Sequence, residues 1–310
     1  DQGRREHQRA LPILKRMDDL LKPGDAQESD GGRGYAALLL DLDGTVVDPN
    51  GQIRESTRRS IRALSDSGVR VMITTGRSVT GTEKVIEELG LEGTAVVFNG
   101  AGIWCPKERR LLEEQILAER VVDPVMDYAE RAGHLVCVML ADSKFAPLPR
   151  DEIEEQTISG LKDVTIVDRA ELPREYLMRI TVFSREHASS LPLFEEISGV
   201  LRGPAYMTHF PLNMLHAYRE STMQVVDVHP PCRGKAEALR WLKDVEGIDP
   251  LRVACVGDAT NDLPMFAASG LAVAMGDGVQ EARDAADRVI GASDTDAIAE
   301  LIAELFGVSV

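Results

Sequence analysis

The 310-residue chain carries 51 acidic against 35 basic side chains, a formal charge of −16, with 44% hydrophobic and 28% charged residues. That balance excludes wholesale disorder, collagen-like repeats and a coiled coil, and its negative field disfavours nucleic acid and anionic membranes as partners. The length exceeds what one hydrophobic core usually fills, which predicts two compact units or one unit with an elaborate insertion.

Residues 1–34 place Leu11, Leu14, Met17 and Leu21 at helical spacing before a Gly-rich DGGRG stretch, so a short amphipathic helix and a linker are expected there. From Tyr35 the texture alternates: strand YAALLLDLD, helix STRRSIRALSDSG, strand VRVMITTG, helix TEKVIEELG, strand TAVVFNG. Such alternation predicts α/β architecture with a doubly wound parallel sheet, whose strands, buried on both sides, read as continuous apolar runs. Residues 102–218 read differently, as an inserted α+β unit: helix DPVMDYAERAG, strand LVCVML, a polar loop APLPRDEIEEQ, strands DVTIV and YLMRITVF, helix HASSLPLFEEISGVL, strands AYMTHF and LNMLHAY. The first texture returns in MQVVDVHP, GKAEALRWLKD, LRVACVGD, the helix around LPMFAASG, LAVAMGDG and TDAIAELIAELFG, so residues 35–101 and 219–310 are expected to share one sheet and one domain. Cys105, Cys137, Cys232 and Cys255 form no CxxC pair, which predicts reduced thiols and no cysteine zinc site. No apolar run reaches the ~18 residues of a membrane span and the charged start lacks a signal-peptide core, so a cytoplasmic location is expected.

In open α/β sheets ligands bind beyond the carboxyl ends of the strands, and here those ends are acidic. LLLDLDGT puts Asp41 and Asp43 two residues apart, on one side of an extended segment, before Gly44, which permits a sharp turn. VACVGD ends at Asp258, and Asp262 follows four residues later in GDATND. Four carboxylates in one crevice repel by roughly 4 kcal/mol per pair at about 4 Å, so a cation is required; oxygen ligands without His or Cys suit Mg²⁺. VMITTGR offers Thr75 as a hydroxyl donor, Gly76 for close backbone approach and Arg77 as a clamp, while Lys235 opens the helix of GKAEALRWL. Neither DLDGTVVDPNGQ nor GDATNDLPM has the Gly and Glu of an EF-hand, and GK at Gly234–Lys235 is not a P-loop. A carboxylate nucleophile, a second carboxyl as acid then base, a metal, a lysine and a hydroxyl together fit phosphoryl transfer.

The segments DLDGT, TTGR, KAEAL and GDATND, in this order, resemble the haloacid dehalogenase superfamily of phosphohydrolases; FNGAGI, GDxxNDxxM and LAVAMG narrow the resemblance to its Cof-type branch. The resemblance covers roughly residues 35–305 and implies a large α/β cap over 102–218. It implies that Asp41 attacks phosphorus and ligates Mg²⁺, and that Asp43 serves as acid then base and lends its backbone carbonyl to the metal. It also implies that Thr75 and Lys235 hold phosphoryl oxygens, Asp258 ligates Mg²⁺, Asn261 contacts phosphate and Asp262 orients Lys235 or metal-bound water. Leu42, Gly44, Gly76 and Arg77 complete the expected phosphate site. Where the family has MGNA this chain has MGDG, which adds Asp277 near the crevice. The expected partner is a small phosphate monoester such as a sugar phosphate; the alternatives are a phosphomutase or phosphotransferase using the same aspartyl-phosphate, and a non-catalytic phosphate- or metal-binding regulator.

Overall fold

The computed structural model describes residues 34–308, so the helix and linker expected over residues 1–34 lie, but for Gly34, outside the described residues. Strand β1 (Ala37–Leu40) is followed by helix α1 (Glu55–Asp66), β2 (Arg70–Ile73), α2 (Val79–Leu89), β3 (Ala95–Val97), β4 (Gly102–Cys105) and β5 (Arg110–Glu114). Next come α3 (Glu119–Arg131), β6 (Leu135–Met139), β7 (Lys144–Pro147), α4 (Glu152–Gly160), β8 (Val164–Val167), β9 (Arg179–Ser184), α5 (Ser190–Val200), β10 (Tyr206–Pro211) and β11 (Gln224–His229). The chain closes with α6 (Glu237–Asp244), β12 (Val253–Gly257), α7 (Leu263–Phe266), β13 (Leu271–Ala274), α8 (Gln280–Ala285), β14 (Arg288–Val289) and α9 (Ala297–Phe306).

Five of these strands form the expected parallel sheet, in the order β14-β13-β12-β1-β2. The period-2 alternation of β1 sends Leu38 and Leu40 to one face, with Ile61 and Leu64 of α1 and Ile298 and Leu301 of α9, and Ala37 and Leu39 to the other, with Leu239 and Leu242 of α6. Both faces of β1 are therefore covered, and all four of its residues are buried. β1 runs on to β2 on one side while β12 runs on to β13 on the other. The carboxyl ends of β1 and β12 thus flank the point where the winding reverses, the place such sheets leave open for a ligand.

A second sheet has the order β10-β11-β9-β6-β7-β8. One of its faces is apolar: Val136, Val138, Ile180, Val182, Val226 and Val228 pack on α3 and α5. β11 is a correction to the sequence reading, which placed MQVVDVHP in the parallel sheet. It pairs antiparallel with β9 and β10, so the inserted sheet extends beyond residue 218. An apolar run buried on both sides looks the same in either sheet, and only the partner strand tells them apart. The strand expected in LNMLHAY is instead two 3₁₀ turns, Leu212–Met214 and His216–Tyr218. Pro211, which has no N–H to continue a ladder, ends β10 before them. The loop expected in APLPRDEIEEQ contains α4, because Asp151 accepts the Glu154 N–H at 3.1 Å and caps the helix. β3 meets the parallel sheet through one bridge, Thr74 to Val96, and otherwise pairs with the hairpin β4–β5, whose strands the pattern reading missed.

Candidate active site

The residue that organises the site is Lys235, which sits in a 3₁₀ turn, Gly234–Ala236, leading into α6. Only 1% of it is exposed, and its ammonium is held between two carboxylates: Nζ donates to Asp41 Oδ1 at 2.7 Å and to Asp262 Oδ1 at 2.6 Å. Burial alone would lower its proton affinity, but Asp262 and Asp41 reverse this and raise it, so it remains a cation. Asp262 Oδ2 accepts the backbone N–H groups of Asp258 and Ala259, both at 2.9 Å, which holds that carboxylate in place from the other side.

Asp41, directly after β1, Asp258, directly after β12, and Asp262 bring carboxylate oxygens within 4.8 Å of one another. With all three carboxylates ionised, one ammonium would leave two charges uncompensated, which is the charge of one divalent cation. Burial pushes Asp41 up to about 7, even though Lys235 opposes it. Burial, then the charges of Asp41 and Asp262, raise Asp258 well above the usual carboxylate range. Asp258 Oδ1 is buried and has no hydrogen-bond partner. An all-oxygen donor set with an unpaired buried oxygen and two surplus negative charges fits Mg²⁺. Gly44 explains how the loop after β1 approaches so closely: at φ +77°, a Cβ there would lie 2.3 Å from Asp258 Oδ2. Any side chain would displace the carboxylate.

Asp43 does not join this carboxylate group. Its side chain is 48% exposed and is held by Arg77, whose Nε donates to Oδ2 at 2.8 Å and whose Nη2 donates to Oδ1 at 2.5 Å. Arg77 is thus paired with a protein carboxylate. Thr75 is buried and its Oγ1 accepts the Arg77 N–H at 3.1 Å, while Leu42 is fully buried with its carbonyl accepting from Thr45 and Val47. Gly76 leaves space for Asn99, whose Oδ1 would lie 3.0 Å from a Cβ at that position. Asn261 Nδ2 donates to Asn99 Oδ1 at 3.0 Å, which joins the β12 loop to the β3 loop. Asp277 is turned to Ser293, accepting from its N–H at 3.0 Å and its hydroxyl at 2.8 Å, a structural contact.

Two further residues stand at this junction: Asn99, which no single motif assigned a role, and Arg179, which with Arg150 and Arg219 is a basic residue the sequence offers as a contact from the inserted unit. Asn99, in the left-handed region at φ 51° beside Phe98 at φ 52°, was visible only as part of FNGAGI. Arg179 starts β9 of the inserted sheet and donates from Nη1 to the Gly76 carbonyl at 2.7 Å.

Residues 38–302 match the sequence profile of the haloacid dehalogenase-like hydrolases. The chain belongs to this family. It is 25% identical over 272 residues to the 5-amino-6-(5-phospho-D-ribitylamino)uracil phosphatase YitU of Bacillus subtilis, covering 87% of this chain and 97% of that one. A solved Geobacillus kaustophilus hypothetical protein superposes with a TM-score of 0.72 at 26% identity, over 89% of this chain and all of the other. The solved sugar phosphatase BT4131, of subclass IIB in the same superfamily, matches in fold with a TM-score of 0.72 at 19% identity, over 87% of this chain and 98% of that one. The Cof-type haloacid dehalogenase resemblance read from DLDGT, TTGR, KAEAL and GDATND therefore holds for the chain, and with it the doubly wound α/β fold. Among the described residues no helix is long and apolar enough to cross a membrane.

Proposed function

We propose that this haloacid dehalogenase-like enzyme is a Mg²⁺-dependent phosphomonoester hydrolase acting on a small metabolite phosphate, a sugar phosphate in particular, through an aspartyl-phosphate on Asp41. The observation that carries the reading is the Lys235 ammonium bridging Asp41 and Asp262 beside the unpaired Asp258 oxygen. The carboxylates of Asp41 and Asp258 and the backbone carbonyl of Asp43 would hold Mg²⁺, whose charge offsets that of the phosphoryl oxygens.

The remaining roles follow from this chain's own groups. Lys235 occupies Oδ1 of Asp41 and so leaves Oδ2 as the attacking atom. Attack forms the Asp41–phosphorus bond as the ester oxygen departs, and Asp43 gives that oxygen its proton. Water then attacks phosphorus, gives a proton back to Asp43, and inorganic phosphate leaves with Asp41 regenerated. Asp43 must release at least one of its two Arg77 contacts to turn inward; Arg77 therefore sets where the acid rests between these events. Thr75, Asn261 and the backbone around Leu42, Gly44 and Gly76 would receive the phosphoryl oxygens. Support for a hydroxylated substrate comes from the relatives, one named for a phosphoribityl compound and one described as a sugar phosphatase.

Phosphate release from a panel of metabolite monoesters, with Mg²⁺ and with chelator, tests the reading. Metal-dependent release is the expected result. Interconversion of two sugar phosphates without free phosphate would make the enzyme a mutase, and no turnover of any ester would leave only a binding role.

A further inference from the structure

Under the phosphatase reading Asn261 gives an N–H to a phosphoryl oxygen, yet its side chain has a single anchor. Nδ2 donates to Asn99 Oδ1 at 3.0 Å, whereas Oδ1 is buried and has no hydrogen-bond partner among the described residues. An amide donates at one end and accepts at the other, and a phosphoryl oxygen only accepts. The hydrogen bond to Asn99 therefore decides which end of Asn261 faces the site.

Asn99 is itself held from several sides. It is buried, its N–H donates to the Thr75 carbonyl at 3.0 Å, and its carbonyl accepts from Cys232 Sγ at 3.5 Å. Phe98 and Asn99 lie in the left-handed region and Gly100 follows at φ +100°, a run that persists only where the surroundings impose it. Gly100 packs so closely on the Lys235 turn that a Cβ there would lie 2.3 Å from the Gly234 carbonyl oxygen. The turn thus wedges Asn99 between the loops that carry Thr75 and Lys235.

A third residue orients the Asn99 amide. Its Nδ2 lies 3.4 Å from Nε2 of His229, the last residue of β11, which is fully buried and whose Nδ1 has no hydrogen-bond partner among the described residues. Burial pushes His229 down to about 3, so the ring is neutral and one of its nitrogens accepts. If Asn261 offers N–H to phosphate, Asn99 must accept from it through Oδ1 and donate through Nδ2, which makes His229 Nε2 the acceptor and puts the ring proton on Nδ1.

We propose that Asn99 and His229 are positioning residues, a hydrogen-bond chain in which His229 accepts from Asn99 and Asn99 accepts from Asn261, so that Asn261 keeps an N–H turned to the phosphoryl oxygens. The proposal rests on the phosphatase reading above and deepens it, since a strand of the inserted sheet orients a phosphate contact of the parallel sheet.

Two measurements test it. Nitrogen-15 NMR of the histidine-labelled protein should show His229 neutral with its proton on Nδ1; a proton on Nε2 would reverse the chain and overturn the proposal without reference to turnover. The second uses p-nitrophenyl phosphate hydrolysis and inorganic phosphate binding by titration calorimetry. Asn99→Gly keeps the left-handed backbone and removes the amide. It should lower kcat/KM and phosphate affinity by about tenfold, the low end for a hydrogen bond to a charged group. Asn261→Ala should lose as much, and the double variant no more, because Asn99 acts through Asn261. His229→Leu should lose part of this, and His229→Gln, which restores an acceptor, should recover it. Additive losses, a lowered melting temperature with unchanged phosphate affinity, or equal losses in the two His229 variants would overturn the chain while leaving the phosphatase reading intact. A wild type that binds phosphate but hydrolyses no ester would overturn that reading, and the affinities would still decide the chain. A wild type that does neither would overturn both.

Discussion

The parallel sheet and the inserted sheet both bury charge, but they reach balance by different routes. At the tips of β1 and β12 the charges are close, mutually repelling and short of one divalent cation: Asp41, Asp258 and Asp262 share a single ammonium. On the polar face of the inserted sheet, Arg179 and Asp227 balance one another, and what remains unmet is hydrogen bonding. A surplus of negative charge attracts a cation, and a bound cation in turn attracts anionic phosphoryl oxygens. A neutral surface with unpaired polar atoms instead selects by shape and hydrogen-bond direction.

The sharpest way to break the contrast is Asp41→Asn, which removes the attacking oxygen while keeping the shape. Phosphate release is expected to fall by at least roughly a thousandfold with an unchanged circular dichroism spectrum. Full activity in that variant would displace Asp41 from its role. Lys235→Met comes next, because it strands the buried carboxylates without their counter-charge. A loss of about 3–5 kcal/mol is expected in denaturant unfolding without Mg²⁺, and a smaller one with it.

Metal and proton compete for the same carboxylates. Asp41 stands at about 7 in the fold against an ordinary 3.8, and Asp258 is raised too, both through burial first. A carboxyl with a raised native value holds its proton in the fold more tightly than in the unfolded chain. It therefore makes the metal-free protein lose stability as pH rises through the interval between 3.8 and about 7. The gain in melting temperature on adding Mg²⁺ should accordingly be larger at about pH 8 than at about pH 5. An equal gain at both would mean the ion binds elsewhere. Gly44→Ala, with its Cβ driven into Asp258, should weaken Mg²⁺ binding by titration calorimetry and cost about 1–3 kcal/mol. The smallest effect is expected from Arg77→Gln, which frees Asp43 from its resting contacts: kcat should change by less than about tenfold while the melting temperature barely changes, since the pair is partly solvated.

The grouping of the carboxylates was legible because it is local. DLDGT and GDATND put carboxylates immediately after apolar runs, and a parallel sheet makes run ends converge. The partnerships were not legible. That Lys235 would serve Asp41 and Asp262 together, that Arg77 would hold Asp43, and that Asn99 would join Asn261 all depend on loops from different strands meeting. APLPRDEIEEQ misled because Pro and acid suggest a loop, although its Asp151 cap starts a helix.

What the amino-acid order determined by itself was the doubly wound fold class, the insertion and the residues at the strand tips, since buried strands and their terminating carboxylates are written in contiguous runs. Tertiary structure alone decided that β11 joins the inserted sheet and that Arg179 reaches Gly76. Strand pairing and long-range hydrogen bonds are chosen by which neighbour can satisfy a backbone or buried polar group, and that neighbour is not encoded in the local sequence pattern.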